Sequence, residues 1–197
     1  MPHDADLPPD ARPGIGTLYA GDLDGMLRRR VIRVGVTCNR THYFIDNGVQ
    51  HGLTYEYAKL FEERINSVLP TGDLRIHVVC MPMPRDQMLR ALVAGRLDLA
   101  EGQFTITPER QALVDFGPPH HRRAVEIPVT AAGIAALSSV DDLAGRDVFV
   151  RRSSSYYQSL LTLNRRLVAD GRPPAAIREV PESLDDDDLL EMAMPAC

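Results

Sequence analysis

The chain has 197 residues, 44% hydrophobic and 25% charged, enough to bury the core of one ordinary domain or two small lobes and too apolar for global disorder. Acidic residues outnumber basic ones by 27 to 22, and the net charge of −5 excludes a nucleic-acid-binding surface, which needs a basic stripe. Lys59 is the only lysine, an arginine bias that reads as codon usage.

Residues 1–20, opening "MPHDADLPPDARPGIG", combine proline, glycine and acid and are expected to form a disordered leader. They lack the basic start and apolar centre of a secretory signal, and no apolar run approaches the ~20 residues of a membrane span. "GDLDGMLRRR" predicts a short helical turn ending in a basic cluster. "VIRVGVT", Val31 to Thr37, is β-branched and predicts a buried strand. Asn47-Gly48 is a turn signal. Thr54 is a candidate cap for the next helix, where Tyr57, Ala58, Phe61, Ile65 and Val68 fall at helical spacing.

Leu74 to Met81 predicts a second strand, "PRDQMLRALVAG" a helix stopped by Gly95, and "LDLAEG" a third strand. Strand, helix, strand, helix, strand implies parallel pairing through right-handed crossovers. After a proline-bounded linker the pattern restarts. It gives a brief helix capped by Ser139, a strand over "RDVFVR", a helix over "SSSYYQSLLTLNRRLVADG", a strand over "AAIREV" and a helix begun by "SLDDDDLL". With two strands only, this second unit is expected to be an incomplete lobe.

Two corners carry the chemistry. In "TITPERQALVDF" Thr107 suits the cap, Pro108 the first turn and Glu109 the positive end of the dipole, yet Arg110 puts a cation there too. A bound carboxylate would resolve the conflict, matched by the planar fork of arginine and by backbone donors of the helix start. "RRSSSYY" repeats hydroxyls and arginines at a strand-to-helix corner in the second half. A small acidic ligand in a cleft is the expectation.

The stretches "VIRVGVT", "YFIDNGVQHGLTYEYAKLFEE" and "LVAGRLDLAEGQFTITPERQALVDFGPP" resemble the bacterial extracellular solute-binding proteins, family 3. Within them the likeness is greatest to the N-terminal solute-binding-like regulatory module of the lytic murein transglycosylase F group. It covers roughly Gly21 to Met194. The resemblance implies an α/β, periplasmic-binding-protein-like (Venus flytrap) architecture, with lobe one at 21–124, lacking its return segment, and a partial lobe two at 125–197. It implies non-catalytic binding of a polar amino acid or peptidoglycan-derived peptide, with no cofactor and a periplasmic or outer-membrane-associated location. The implied partners are an ABC transporter permease or a C-terminal transglycosylase domain.

By the same resemblance Arg110 anchors the ligand carboxylate and Thr105 supplies a hydroxyl, with Phe104 and Gln103 beside it. Tyr43 and Phe44 form an aromatic wall, and Ser154 and Ser155 close over the carboxylate from the second lobe. Gly117 and His120 stand where the family has serine and tyrosine, and Glu101 where a small residue is usual. The family's acidic residue for the ligand amino group is expected beyond the chain's end. The alternative is a cyclohexadienyl or arogenate dehydratase-like enzyme, for which Glu101 is the candidate acid.

His120-His121 read as surface residues, since neighbours on an extended segment point opposite ways. Asp185 to Asp188 lack the alternation of a calcium loop and read as helix-start charge. Ser153 to Ser155 lack a nucleophile elbow. Cys38 and Cys80 end the first two strands; two free thiols are expected, with a disulfide as the alternative.

Overall fold

In the computed structural model, which describes residues 15–69, 74–121 and 125–193, the run Val31–Val36 is buried at every position. Burial on both faces requires partners on both edges and a layer on each side. The chain supplies them in order: α1 (Leu23–Arg29), β1 (Val31–Val36), β2 (Phe44–Asp46), β3 (Val49–His51), α2 (Leu53–Val68), β4 (His77–Pro82), α3 (Arg85–Val93), β5 (Leu99–Glu101) and α4 (Pro108–Gln111). β4 and β5 flank β1, both parallel to it, in the order β4-β1-β5, with Val34 opposite Cys80 on one side and Leu99 on the other. Ile32, Val34 and Val36 meet Ala58 and Ile65 of α2, while Met88 and Ala91 of α3 pack with Leu97. The expected parallel α/β arrangement is therefore present, although β4 starts three residues later than predicted and Leu74 is exposed.

Asn47 and Gly48 both have positive φ, 47° and 81°, as a two-residue hairpin turn between β2 and β3 demands. Thr54 does not cap α2. The cap position is Gly52, at φ 113°, and the amides of Leu53 and Thr54 are satisfied by the carbonyls of Thr41 and His42. A Cβ on Gly52 would sit 2.3 Å from the His42 carbonyl oxygen, so the loop presses on the helix start too closely for any side chain.

The leader reading is corrected in part. Residues 1–14 lie outside the described residues, but 15–20 are docked on the sheet. Ile15 packs against Val31 and Val79, and the Tyr19 amide donates to the Gly95 carbonyl. The Thr17 carbonyl accepts from Arg33, a fully buried β1 residue whose guanidinium also pairs with Asp98 at 2.9 Å.

The chain divides at Pro118–Pro119 into two compact units. In the second, a 3-10 turn (Val140–Leu143) carries a full capping box from Ser139 and Asp142. It is followed by β6 (Asp147–Arg151), α5 (Ser155–Ala169), β7 (Ala176–Val180) and α6 (Asp186–Ala193). β6 and β7 pair in parallel over a core of Leu143, Val150, Leu160 and Ala175. Each unit uses the same clasp. Asn66 of α2 donates to the Ile76 carbonyl and accepts from its amide, at 2.8 and 2.9 Å. Asn164 of α5 does the same to Ala175, at 2.9 and 2.8 Å. One side chain thus pins the chain entering the next parallel strand in both.

Asp185 and Asp186 are more than helix-start charge: both pair with the buried Arg151, Asp185 at 3.0 Å. His120 and His121 are exposed. Cys38, exposed, and Cys80, buried, are free thiols. Among the described residues no helix is long and apolar enough to cross a membrane.

Candidate functional site

The corner after β5 is shaped by Gln103, whose φ of 49° turns the chain so that Phe104 points back into the α3 cluster of Met88, Ala91 and Leu97. Left-handed backbone is uncommon outside glycine and marks a bend that the surroundings enforce. Thr105, exposed, leads to Thr107, whose hydroxyl oxygen accepts from the Arg110 amide as the cap of α4.

α4 is a single turn of four residues. It cannot sum a macrodipole, so the expected cost of Arg110 there is small and so is the expected help of the helix start to a bound anion. The guanidinium is positioned by other means. It donates to the Thr105 carbonyl at 2.9 Å and lies over the Phe104 ring, 5.6 Å from its centroid. Burial lowers its proton affinity, the charge of Arg85 adds to this and Glu109 opposes it; the group remains a cation.

Arg85, which sequence reasoning passed over, completes the corner. From the first turn of α3 it donates to the Gln103 carbonyl at 2.8 Å and lies over the same ring, 5.1 Å from the centroid. Arg110, Phe104, Gln103 and Thr105 are thus brought together, with Arg85 added. Helical periodicity in "PRDQMLRAL" draws attention to the apolar face and leaves a first-turn arginine unremarked.

The aromatic wall splits. Tyr43 is 1% exposed and belongs to the core, its hydroxyl donating to Gln50 at 2.8 Å, whereas Phe44 is exposed and stacks on His51 across the hairpin. Burial, with the neighbouring Cys80, Cys38 and Tyr55, pushes the Tyr43 phenol up to about 12. Glu101, last residue of β5, accepts a 2.5 Å hydrogen bond from the buried Thr54 hydroxyl.

In the second unit Ser154 caps α5: its hydroxyl oxygen accepts from the Tyr157 amide and its proton goes to the Arg151 carbonyl. Ser155 opens the helix. At this corner Ser153 holds a carboxylate: its amide and hydroxyl donate to the two oxygens of Glu182 at 2.9 and 2.5 Å. Sequence reading missed Glu182 because it lies 29 residues away.

A separate groove of about 280 Å³ runs between α2 and β4, with Lys59, Glu62 and Arg75 in its walls, and shares no residue with the Arg110 corner. Glu62 there accepts from the Val78 amide and covers the strand edge. Among the described residues no group of three or more histidines, cysteines or carboxylates could hold a metal.

The profile of the bacterial extracellular solute-binding proteins, family 3, matches residues 32–174. The chain belongs to that family. The match spans the three parallel strands, the Arg110 corner and the β6–α5 corner. Membrane-bound lytic murein transglycosylase F of Aeromonas salmonicida (strain A449) is 26% identical over 129 residues, 64% of this chain and 24% of the relative. The L-cystine-binding protein TcyJ of Escherichia coli (strain K12) is 25% identical over 115 residues, 58% of this chain and 40% of the relative. This family-3 chain therefore spans about a quarter of the length of the transglycosylase it matches. Among solved structures, the ancestral amino acid-binding protein AncCDT-1, a precursor of cyclohexadienyl dehydratase, superposes with a TM-score of 0.65 at 26% identity, covering 87% of this chain and 70% of that one.

Proposed function

We propose that the chain binds, without catalysis, a small carboxylate-bearing ligand anchored by Arg110. The observation that carries this reading is the placement of its guanidinium, half-buried, tethered to the Thr105 carbonyl and laid over Phe104. A fork already ordered in a partly desolvated corner meets a carboxylate with little further loss of entropy. Thr105 and Gln103 flank that anchor; Phe44 is the exposed member of the aromatic pair; Ser155 and the cap Ser154 are the candidates at the β6–α5 corner. The likeness to an amino acid-binding and a cystine-binding protein supports a polar amino acid as the ligand class, with a peptidoglycan-derived peptide as the larger version.

The test is ligand-induced thermal stabilisation over a panel of amino acids. A ligand at a hundred times its Kd should stabilise by about 2.7 kcal/mol. Arg110→Gln should abolish that stabilisation and leave the unliganded Tm within about 3 °C, since relief of the like-charge contact with Arg85 offsets loss of the Thr105 and Phe104 contacts. A lower unliganded Tm with ligand stabilisation intact would show Arg110 to be structural.

The enzymatic alternative needs an acid at the site, and Glu101 is engaged by Thr54. No turnover of prephenate or arogenate is expected; turnover that disappears in Glu101→Gln would reverse the assignment. At the level of the whole protein, the transglycosylase relative supports a sensing module outside the cytoplasm joined to a murein-cleaving domain. TcyJ supports a transport receptor working with a permease.

A further inference from the structure

The geometry points to Glu101 as the partner of a ligand ammonium group at the β5–α4 corner, which makes the corner a reader of zwitterions. This rests on carboxylate binding at that corner and adds the residue that decides between an amino acid and a plain carboxylate.

Glu101 is the last residue of β5 and stands in register with Val36, the last residue of β1. Its carboxylate is therefore at the carboxyl end of a parallel sheet, the edge at which open α/β folds gather their ligands. Two helix starts flank this strand end. Thr54, in the first turn of α2, bonds Glu101 itself, and Arg85, in the first turn of α3, lies over Phe104. Gly102 joins the two sides. A Cβ there would lie 3.1 Å from the Phe104 ring, so the missing side chain lets the ring rest against the backbone beside Glu101. The Arg110 guanidinium covers the same ring, 5.6 Å from its centroid. Acid and anchor are thus both referred to one aromatic platform, which Met88 and Leu97 hold in the α3 core.

Thr54 donates to one oxygen of the Glu101 carboxylate at 2.5 Å, from a residue only 1% exposed. That bond orients the carboxylate without neutralising it, because a hydroxyl brings a dipole and no charge. Among the described residues Glu101 enters no ion pair. It is half-buried, so its field is less screened than that of an exposed acid. An ammonium group carries three donors and suits such an acceptor. A carboxylate without an ammonium would meet the like charge of Glu101 with nothing to offset it. The residue therefore discriminates twice, by attraction to the amine and by repulsion of the simple anion.

The experiment is calorimetric titration of the chain with pairs that differ only by the α-ammonium group, L-glutamine against glutaramate and L-glutamate against glutarate. It is run at neutral pH in about 50 mM salt, where screening is modest. The amino acid of each pair should bind at least about tenfold more tightly than its desamino partner, the effect of one charge-assisted contact. Glu101→Gln removes the charge and keeps an acceptor for the Thr54 hydroxyl. It should erase the preference and weaken the desamino compounds by no more than about twofold. Arg110→Gln should weaken both members of each pair.

Equal affinity within the pairs in the wild-type chain, or a preference untouched by Glu101→Gln, would overturn the ammonium assignment. Loss of binding in Arg110→Gln would then still uphold the carboxylate anchor. Binding indifferent to Arg110→Gln, with a preference that Glu101→Gln erases, would overturn the anchor and leave Glu101 in its role. No binding by any probe would overturn both. Should Glu101→Gln lower the melting temperature by more than a few degrees, the preference is read from Glu101→Asp, one methylene shorter. An undiminished preference there overturns the assignment, and a diminished one supports it.

Discussion

Asp98 takes hydrogen bonds from Arg33, through both backbone amide and guanidinium, and from Arg29, with its side chain 1% exposed. Burial alone would push its carboxyl up, but these bonds outweigh it and hold the group below the usual carboxylate range. A depressed folded-state value means stability that is complete above the unfolded value of about 3.9 and lost as pH falls through the folded value. Urea unfolding should therefore show stability declining below about pH 4 in the wild-type chain. Asp98→Asn leaves Arg33 buried without its counter-charge and should cost about 3–5 kcal/mol at pH 7 while flattening that acid limb. An unchanged midpoint at pH 7 would refute the role. Arg33 itself illustrates a limit of pattern reading: the β-branched run "VIRVGV" reads as a buried strand without saying how its one charge is accommodated, and the Asp98 pairing with the Thr17 and Gly95 carbonyls makes its full burial tolerable.

At the scale of elements, the two asparagine clasps are equivalent tests. Asn66→Ala should leave the Ile76 amide and carbonyl without their clasp, and Asn164→Ala the same at Ala175. Each should lower stability by about 1–3 kcal/mol, read as a shift of the denaturant midpoint at constant m. The start of α2 makes a sharper prediction. Gly52→Ala forces both a positive φ on a side-chain residue and a contact with the His42 carbonyl, and should cost more than about 2 kcal/mol. A loss of a few tenths would mean that the 41–43 loop yields easily. The cap missed at Thr54 has the same origin. Sequence rules assign helix starts to side-chain acceptors, while here backbone carbonyls from the preceding loop do that work and release Thr54 to bond Glu101.

At the scale of the whole molecule, Cys38 and Cys80, two of the three cysteines in the sequence, report on opening. Cys80 is 6% exposed in the three-stranded sheet, and burial pushes its thiol to about 11, so thiolate is scarce at neutral pH. Cys38 is exposed. Maleimide labelling followed by peptide mass spectrometry should find Cys38 modified promptly and Cys80 only at the rate of global unfolding. Prompt modification of Cys80 would show that the β4 edge opens locally. Family membership fixes the class of molecule, and the quarter-length match to a transglycosylase leaves the sensing role a proposal.

The alternation of β-branched runs with amphipathic helices by itself determined the parallel α/β class, because both periods are local properties of the chain. "TPERQ" by itself singled out Arg110, since a cation beside a cap and proline breaks a local rule. The family resemblance rested on the same stretches. What only the tertiary structure decided were the pairings between distant residues: Arg85 with Phe104, Ser153 with Glu182, Arg33 with Asp98 and Arg151 with Asp185. It also decided the burial of Tyr43 and the docking of residues 15–20. Such contacts depend on which side chains two elements present to one another once the sheet is formed, and neither propensity nor spacing along the chain encodes that meeting.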